Sequence, residues 1–351
     1  MDRRSFLKWL AAALSLPLLG GLGNAAQRYW ESMNKPSILA QSAQSTFTSV
    51  VSDDEALMSM YIFSDLHISQ DPQTPRKMKQ ALQDLTSYEN PVDALIITGD
   101  LTDTGTMSDY RLLSSILSKY KLPPIGANMG NHEYYTIWTD AHGAWKKSTM
   151  PNGKTNELSR QQFLTFMNYR KTYNEMTIKG YTVLLLSQET YILEKPEVGE
   201  GAWYSDEQLD WLEERLSSVS KDGKPVFVMI HQPLPPEGEN GGSHFLIRAK
   251  RFREILQPYQ NVFVFCGHRH QDFRNGTEHY VKETFHLFHN SSVTRPLDRN
   301  YIEIWKDHAQ GIYLQVYQNK VIVRGREFSK RSFIKEAYWT IPLQTKSKVL
   351  L

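Results

Sequence analysis

Five short polar stretches follow apolar runs along the chain, and their order limits the possible folds more than any other feature. The runs before two of them, residues 226–230 and 262–266, are continuously apolar, which is typical of strands buried on both faces. Between the earlier stretches, apolar residues recur at helical spacing over about residues 75–88 and from about residue 108. Alternating strands and helices predict a sheet with helices outside it. The five stretches are Asp65-Leu66-His67, Gly99-Asp100, Gly130-Asn131-His132-Glu133, His231-Gln232-Pro233 and Gly267-His268-Arg269-His270.

The rest of the chain predicts one domain over residues 57–345, with an insertion at about residues 134–176. We expect this insertion to cover the mouth of a site formed by the five polar stretches. The insertion is rich in aromatic residues and contains a predicted helix around residues 159–173. After it, Ser205 to Gln208 form a capping box that predicts the start of another helix. Four later segments alternate apolar and polar residues and are expected to form antiparallel strands that complete a second sheet: residues 280–290, 299–306, 311–317 and 320–326.

The N-terminus has the parts of a secretory signal. Arg3-Arg4 precede an apolar run from Trp9 to Leu19, and small residues follow up to Ala26. The paired arginines resemble a twin-arginine export signal, whereas the alternative interpretation is a basic start to an amphipathic helix. We therefore expect a signal peptide at residues 1–26 and a Ser-, Gln- and Ala-rich linker or lead-in at 27–56. The expected partner is the twin-arginine export machinery, and the expected location is secreted, cell-wall-associated or periplasmic.

Composition excludes several other classes of protein. Lys and Arg number 40 against 38 Asp and Glu, so a net charge of +2 gives no global electrostatic case for binding nucleic acid. The one cysteine, Cys266, excludes an intramolecular disulfide framework. A protein that is exported already folded needs no such framework. No later apolar run has the length of a membrane span, so no transmembrane segment is expected in the mature chain.

The polar residues of the five stretches are of the types that bind divalent metals. Carboxylates, imidazoles and amide oxygens suit Mn, Fe or Zn, and two such ions together hold a phosphate ester and activate a water. In this order, the five stretches resemble those of the calcineurin-like metallophosphoesterases, a superfamily of two-metal phosphate-ester hydrolases. The resemblance extends from about residue 57 to 300. It implies a four-layer α/β/β/α sandwich of two mixed sheets flanked by helices, with a dinuclear metal site at the strand ends.

The resemblance also implies a role for each residue of the motifs. His132 is expected to donate a proton to the leaving group or to stabilise transition-state charge, and Glu133 to orient His132. Two divalent ions, Mn, Fe or Zn, are the expected cofactors. The ligands implied for one ion are Asp65, His67, Asp100 and His270. The ligands implied for the other are Asn131, His231, His268 and again Asp100, which bridges the two ions.

Each motif taken alone also has a structural interpretation, since a loop aspartate is more often a cap or turn former. The order and the strand-terminal positions of the whole set favour a site. Asp103 marks a departure, because purple acid phosphatases carry a tyrosine ligand at that position, and a tyrosinate-ligated ferric site is therefore not expected. His244 is a candidate to reach the substrate. The remaining histidines are expected at the surface or in structural hydrogen bonds.

The implied activity is that of a metal-dependent phosphoesterase that acts on an extracytoplasmic ester through a metal-bridging hydroxide. Phosphodiesters are favoured over phosphomonoesters. The expected substrate is a phosphate ester of a small molecule, a lipid head group or a wall polymer. The alternative is a non-catalytic envelope protein that uses the fold as a metal-stabilised binding platform. The intact His132 argues against this alternative, because a binding module has no need of a proton donor.

Overall fold

The computed structural model describes residues 55–89, 92–303 and 306–344. The expected signal peptide at residues 1–26 and nearly all of the linker lie outside these ranges. The strands are β1 Met58–Phe63, β2 Ala94–Thr98, β3 Ile125–Asn128, β4 Asn174–Ile178, β5 Tyr181–Leu185, β6 Val226–Met229, β7 Val262–Cys266, β8 Tyr280–Lys282, β9 His286–His289, β10 Gln310–Val316, β11 Lys320–Glu327 and β12 Ser332–Pro342. The α-helices are α1 Gln73–Ser87, α2 Met107–Leu117, α3 Asn156–Met167, α4 Asp206–Val219 and α5 Ala249–Leu256.

Two six-stranded mixed sheets form the centre of the fold. The first has the order β12-β11-β10-β1-β2-β3, in which β1, β2 and β3 are parallel. The second has the order β4-β5-β6-β7-β9-β8, in which β5, β6, β7 and β9 are parallel. The carboxyl ends of the parallel strands in each sheet share one edge. Loops after these strands can therefore bring distant parts of the chain to one site.

Apolar side chains on alternate positions of the strands create three separate cores. In β1, Tyr61 packs towards α1 and α2, while Met60 and Ile62 pack between the two sheets. On the far side of the second sheet, Val228 packs with side chains of α4 and α5, such as Leu212. Both sheets are thus covered on both faces. The layers follow the order helix, sheet, sheet, helix, which agrees with the predicted α/β sandwich.

Three of the five described α-helices, α2, α3 and α4, begin at a residue whose side chain caps the helix. The Ser205 side chain accepts a hydrogen bond from the Gln208 N–H, as the predicted capping box requires. Thr106 and Thr155 cap α2 and α3 in the same way. None of the described helices is both long and apolar enough to cross a membrane.

The predicted second sheet was wrong in part. Residues 280–290 do contribute β8 and β9 to it, but β10 and β11 pair in the first sheet, where β10 lies antiparallel to β1. The strand predicted at 299–306 is absent from its described residues, which form a loop in which Ile302 is 60% exposed. An alternating pattern identifies a strand with one buried face, but the partner strand is chosen by contacts that are distant in sequence.

Residues 134–176 lie partly in the core and partly beside the strand ends. A 3-10 helix, His132–Trp138, buries Tyr134 and Ile137 in the first core, and α3 adds Phe163 to the same core. Trp145, by contrast, is 50% exposed. The segment therefore combines a structural face with an exposed aromatic one. That it is an insertion over the site stays a prediction.

Candidate metal centre

The nine predicted site residues all follow parallel strands. Asp65 and His67 follow β1, Asp100 follows β2, and the stretch 131–133 follows β3. The second sheet contributes the remaining three, His231 after β6 and His268 and His270 after β7. The predicted metal ligands form two groups of potential ligand atoms that lie within 4.8 Å of one another: Asp65, His67, Asp100 and His270 form one, and Asp100, His231 and His268 form the other. A third set at this spacing joins His67 to Asp103 and His132.

The loops that carry these residues adopt backbone conformations that side chains rarely tolerate. Asp65, Asp100 and His268 have φ values of 54°, 50° and 71°, and His67 and His270 share this left-handed region. Such strain is retained where the surrounding structure enforces it, and it clusters at functional sites. Gly130 allows the loops to approach closely, because any β-carbon there would collide with Asp100 Oδ1 and the His231 ring. The packing of these loops therefore depends on the absence of a side chain at Gly130.

Imidazole nitrogens and carboxylate oxygens face each other across the centre. His270 Nε2 lies 3.0 Å from Asp65 Oδ1, and His231 Nε2 lies 3.0 Å from Asp100 Oδ2. His67 Nε2 lies between the two acids, 3.9 Å from Asp65 Oδ1 and 3.8 Å from Asp100 Oδ2. Asp100 belongs to both groups of ligand atoms, which is the arrangement expected of a bridging carboxylate.

Hydrogen bonds at the far side of two rings determine which nitrogen faces the acids. Nδ1 of His231 lies 2.7 Å from the Thr98 carbonyl oxygen, and Nδ1 of His270 lies 3.2 Å from that of Arg295. A carbonyl only accepts, so Nδ1 carries the hydrogen, and in the neutral ring Nε2 presents a lone pair. The buried His231 Nε2 has no well-aligned hydrogen bond within the described residues, although Asp100 Oδ2 is close. A nitrogen lone pair and a carboxylate that face each other repel unless a cation binds between them. The hydrogen bonds from Nδ1 to backbone carbonyl oxygens are also typical of metal-binding histidines.

Charges at the centre favour cations. Burial by itself would raise the pKa of Asp65, but the charges of His270 and His231 lower it to about 2. For His231, burial acts to lower the pKa, but the charges of Asp100 and Asp65 outweigh it and raise the pKa to about 9. The carboxylates stay ionised and stabilise positive charge at the nitrogen that faces them. Divalent ions satisfy the same requirement.

His132 lies beside this centre and is held by Asp103. Its Nδ1 is 2.8 Å from the Asp103 carbonyl oxygen and 3.6 Å from the Asp103 carboxylate, which also lies 3.3 Å from His67 Nδ1. Burial lowers the pKa of His132, but Asp100 and Asp103 outweigh that effect and raise it to about 9. Because the contact with Asp103 occupies Nδ1, Nε2 is the nitrogen left to exchange a proton with a bound molecule.

Glu133 does not orient His132, contrary to expectation. Its carboxylate accepts hydrogen bonds from the backbone N–H groups of Asp100, Thr102 and Gly130, at 3.0, 3.1 and 2.9 Å. Burial and the charge of Asp100 raise the pKa of Glu133 to about 7, whereas the backbone N–H groups of Gly130 and Thr102 favour its charged form. Glu133 thus ties the loop after β2 to the loop after β3, because a buried backbone N–H needs an acceptor.

Asn131 is the link between the centre and a set of residues that the sequence did not reveal. Its Oδ1 lies 3.1 Å from His268 Nδ1, while its Nδ2 donates to Glu200 Oε2 at 2.9 Å and to the Tyr135 hydroxyl at 3.1 Å. Glu200 stands in a loop between β5 and α4, far in sequence from every motif. The sequence around Glu200 carries no motif that marks it as part of a site.

His244 lies against the centre rather than apart from it. Its Nδ1 is 3.2 Å from His268 Nε2, on the side of the ring opposite the Asn131 contact. This position agrees with its selection as a candidate to reach the substrate, although a role in binding stays a prediction. His279 and His308 make structural contacts, with the His289 carbonyl oxygen and the Asp272 carboxylate, as expected for histidines outside the motifs.

Two mixed sheets with helices outside, and a buried His/Asp cluster suited to two metal ions, define the class of dinuclear metallohydrolases. The profile of the calcineurin-like phosphoesterase family matches residues 58–272, and the chain belongs to this family. It is a metal-dependent phosphoric ester hydrolase.

The names of two similar proteins refer to phosphodiesters. A probable cyclic nucleotide phosphodiesterase of Synechococcus sp. is 27% identical over 233 residues, which cover 64% of this chain and 77% of the relative. A probable glycerophosphodiester phosphodiesterase of Arcobacter nitrofigilis is 24% identical over 182 residues, which cover 51% of this chain and 57% of the relative. The alignment with the second relative thus spans little more than half its length.

Solved structures share the fold. A dimetal phosphatase from Danio rerio superposes with a TM-score of 0.57 at 13% identity, covering 83% of this chain and 100% of that chain. A purple acid phosphatase from yellow lupin seeds superposes with a TM-score of 0.53 at 16% identity, covering 81% of this chain and 53% of that chain. At these identities the likeness concerns the fold alone.

Proposed function

We propose that the protein is a phosphodiesterase with a two-metal centre formed by the motif residues. The observation that carries the proposal is the set of ring nitrogens that face ionised carboxylates, with the His231 nitrogen buried and lacking an aligned hydrogen-bond partner. A buried nitrogen of this kind is unusual in a cluster with only structural hydrogen bonds, because buried polar atoms are normally paired. The printed names of the two relatives, which refer to cyclic nucleotides and glycerophosphodiesters, favour a diester over a monoester.

Each proposed ligand set draws on both sheets. When bound, two divalent ions neutralise phosphoryl oxygens and lower the pKa of a water. The first sheet supplies the oxygen ligands Asp65, Asp100 and Asn131 and the imidazole of His67, and the second sheet supplies the other imidazoles. The proposed ligands of one ion are Asp65, His67, Asp100 and His270. The proposed ligands of the other are Asp100, Asn131, His231 and His268.

His132 is the proposed proton donor for the leaving group. Its Nδ1 is bound to Asp103, and the surrounding acids raise its pKa to about 9, so the protonated ring can present Nε2–H. Donation to the leaving-group oxygen avoids the release of an alkoxide. Glu133 contributes indirectly, because it holds the backbone of Asp100 and Gly130 in place.

The test compares two chromogenic esters on the same preparation. Chelated protein restored with Mn²⁺, Zn²⁺ or Fe²⁺ is assayed with bis-p-nitrophenyl phosphate and with p-nitrophenyl phosphate. We expect turnover that depends on added metal and a higher kcat/KM for the diester. A higher kcat/KM for the monoester would contradict the diester assignment, and metal-independent turnover would contradict the two-metal centre.

We also propose that the substrate is extracytoplasmic and that the chain is exported by the twin-arginine route. Support comes from the sequence alone: Arg3-Arg4 before the apolar run from Trp9 to Leu19. Replacement of both arginines by lysine should retain the full-length chain in the cytoplasm, whereas the parent chain should appear outside it. Cell fractionation with an antibody against the protein makes the comparison. Equal export of both chains would rule out the twin-arginine route.

A further inference from the structure

Glu200 accepts three short hydrogen bonds beside the centre. Its Oε2 accepts from Asn131 Nδ2 at 2.9 Å and from the Tyr135 hydroxyl at 2.8 Å, and its Oε1 accepts from the Tyr191 hydroxyl at 2.7 Å. Its backbone carbonyl oxygen accepts from Gln232 Nε2 at 3.1 Å. A carboxylate held at both oxygens and at its backbone has little freedom to rotate.

These contacts determine the orientation of the Asn131 amide. A carboxylate only accepts hydrogen bonds, so the Asn131 atom that faces Glu200 must be the NH₂ group. Oδ1 therefore points the other way, where it lies 3.1 Å from His268 Nδ1. Without Glu200 the amide loses its strongest orienting partner, and rotation can turn NH₂ towards the centre. An NH₂ group offers no lone pair for a metal.

We propose that Glu200 is a positioning residue for the metal site to which Asn131 belongs. It fixes the amide so that Oδ1 faces the metal, and its charge strengthens the hydrogen bond from Nδ2. Tyr191 and Tyr135 hold the carboxylate in place for this role. The inference rests on the proposed metal ligation by Asn131. Within the part of the chain that the structure describes, the side-chain hydrogen bonds of Glu200 come from Asn131 and two tyrosines and from none of the proposed imidazole ligands, so we expect its effect at one of the two ions.

The first experiment is a metal titration by calorimetry. Chelated parent protein titrated with Mn²⁺ should show two sites. Glu200→Ala should weaken one of them by about 10- to 100-fold, the range seen when outer partners of metal ligands are removed, and leave the other unchanged. Glu197→Ala is the matched control: it removes an exposed carboxylate three residues away and should leave both sites unchanged. Equal titrations for Glu200→Ala and the parent would overturn the proposal.

A double-mutant cycle identifies the route of the effect. Asn131→Ala should weaken the same site as Glu200→Ala, and Glu200→Ala should cost little more once Asn131 is already alanine. Additive losses of affinity would mean that Glu200 acts independently of Asn131, which would overturn the proposed role.

A second pair of variants does not depend on how well Glu200→Ala folds. In Asn131→Asp, a carboxylate at position 131 faces the Glu200 carboxylate, so metal binding should weaken. Glu200→Gln then supplies an amide that donates to the carboxylate at position 131 of this variant, so it should tighten metal binding there. In the parent background the same change removes the charge that strengthens the Asn131 hydrogen bond, so it should weaken metal binding. The same effect of Glu200→Gln in both backgrounds would contradict the proposal. A parent protein that binds no metal would contradict the proposed function instead, so the two failures are distinguishable.

Discussion

Two buried clusters of histidine and acid among the described residues differ in how their polar atoms are satisfied. The first is the metal centre. The second, here called the Asp272 cluster, consists of Asp272, His308, Gln310 and Glu327 with Arg274. In the Asp272 cluster, Asp272 Oδ2 accepts from His308 Nδ1 at 2.9 Å and from Gln310 Nε2 at 2.8 Å. Glu327 accepts from the Ala309 N–H at 2.9 Å and from Arg274 at 3.2 Å.

The comparison shows that composition does not distinguish a metal site from a structural network. In the Asp272 cluster, donors of the protein itself meet the carboxylate oxygens. In the metal centre, Asp65 and Asp100 also accept from backbone N–H groups, those of His268 and His132. In addition, however, the two acids face ring nitrogens of His270 and His231 whose ring hydrogens, on Nδ1, point to backbone carbonyl oxygens instead. The direction of the ring hydrogens is therefore the informative observation. Changes in the first cluster should affect catalysis, and changes in the second should affect stability.

The largest effect is expected from Asp100→Asn. The amide removes the charge that both groups of ligand atoms share, and it introduces an NH₂ group opposite His231. We expect loss of both ions, or loss of nearly all turnover of bis-p-nitrophenyl phosphate. Metal content by mass spectrometry and turnover are measured together, with circular dichroism to verify folding. Two tightly bound ions in this variant would contradict the bridging role.

The next largest effect is expected from His132→Ala. For a diester whose leaving group is a weakly acidic alcohol, loss of the proton donor should lower kcat by roughly 10²- to 10⁴-fold, the usual contribution of a positioned acid. Because His132 is outside both proposed ligand sets, two ions should remain bound. Turnover similar to that of the parent would mean that another group protonates the leaving oxygen. An ester with a very acidic leaving group should recover part of the loss, because its oxygen needs less protonation.

A smaller effect is expected from Asp103→Asn. The backbone carbonyl oxygen of residue 103 still accepts from His132 Nδ1, so the ring keeps its main hydrogen bond. The lost charge makes the protonated ring less favourable, and we expect kcat to fall by about 10-fold, well short of the loss in His132→Ala. A loss as large as that of His132→Ala would show that the carboxylate, not the carbonyl, fixes the ring.

The positions of the metal centre were predictable because each of them follows a short apolar strand directly. A parallel strand that ends in a polar loop delivers its side chains to a known edge of the sheet, so the local pattern placed Asp65 and His231 at that edge. The same pattern predicted strands in a sheet with helices outside it, whereas the four-layer sandwich and the ligand roles were expectations from the family resemblance. Glu200 was not predictable, because its partners Asn131 and Tyr191 are joined to it only by the folded loop.

The sequence pattern also missed parts of the fold that depend on contacts between residues distant in sequence. β12 completes the first sheet by pairing with β11, and β10 reaches β1 from the opposite end of the chain. Arg326 of β11 then forms a buried ion pair with Asp84 of α1, at 2.8 and 2.7 Å. Alternation along β11 shows that one face is buried, but not which sheet or helix covers it.

The smallest effect on turnover is expected from Glu327→Gln in the Asp272 cluster. The change from carboxylate to amide is chemically the same as in Asp100→Asn, which makes the two variants a matched pair. Glu327 is fully buried and accepts from the Ala309 N–H, Ser329, Gln310 and Arg274, and an NH₂ group leaves some of these donors without an acceptor. We expect the free energy of unfolding to fall by roughly 1–3 kcal/mol.

Turnover per folded molecule should stay at the parent value in Glu327→Gln, because none of its hydrogen-bond donors is a proposed metal ligand. Urea unfolding gives the stability, and the diester assay at saturating metal gives the turnover. If Glu327→Gln loses turnover while keeping the stability of the parent, the Asp272 cluster takes part in hydrolysis. The direction in which the histidine ring hydrogens point would then not distinguish a metal site from a structural cluster.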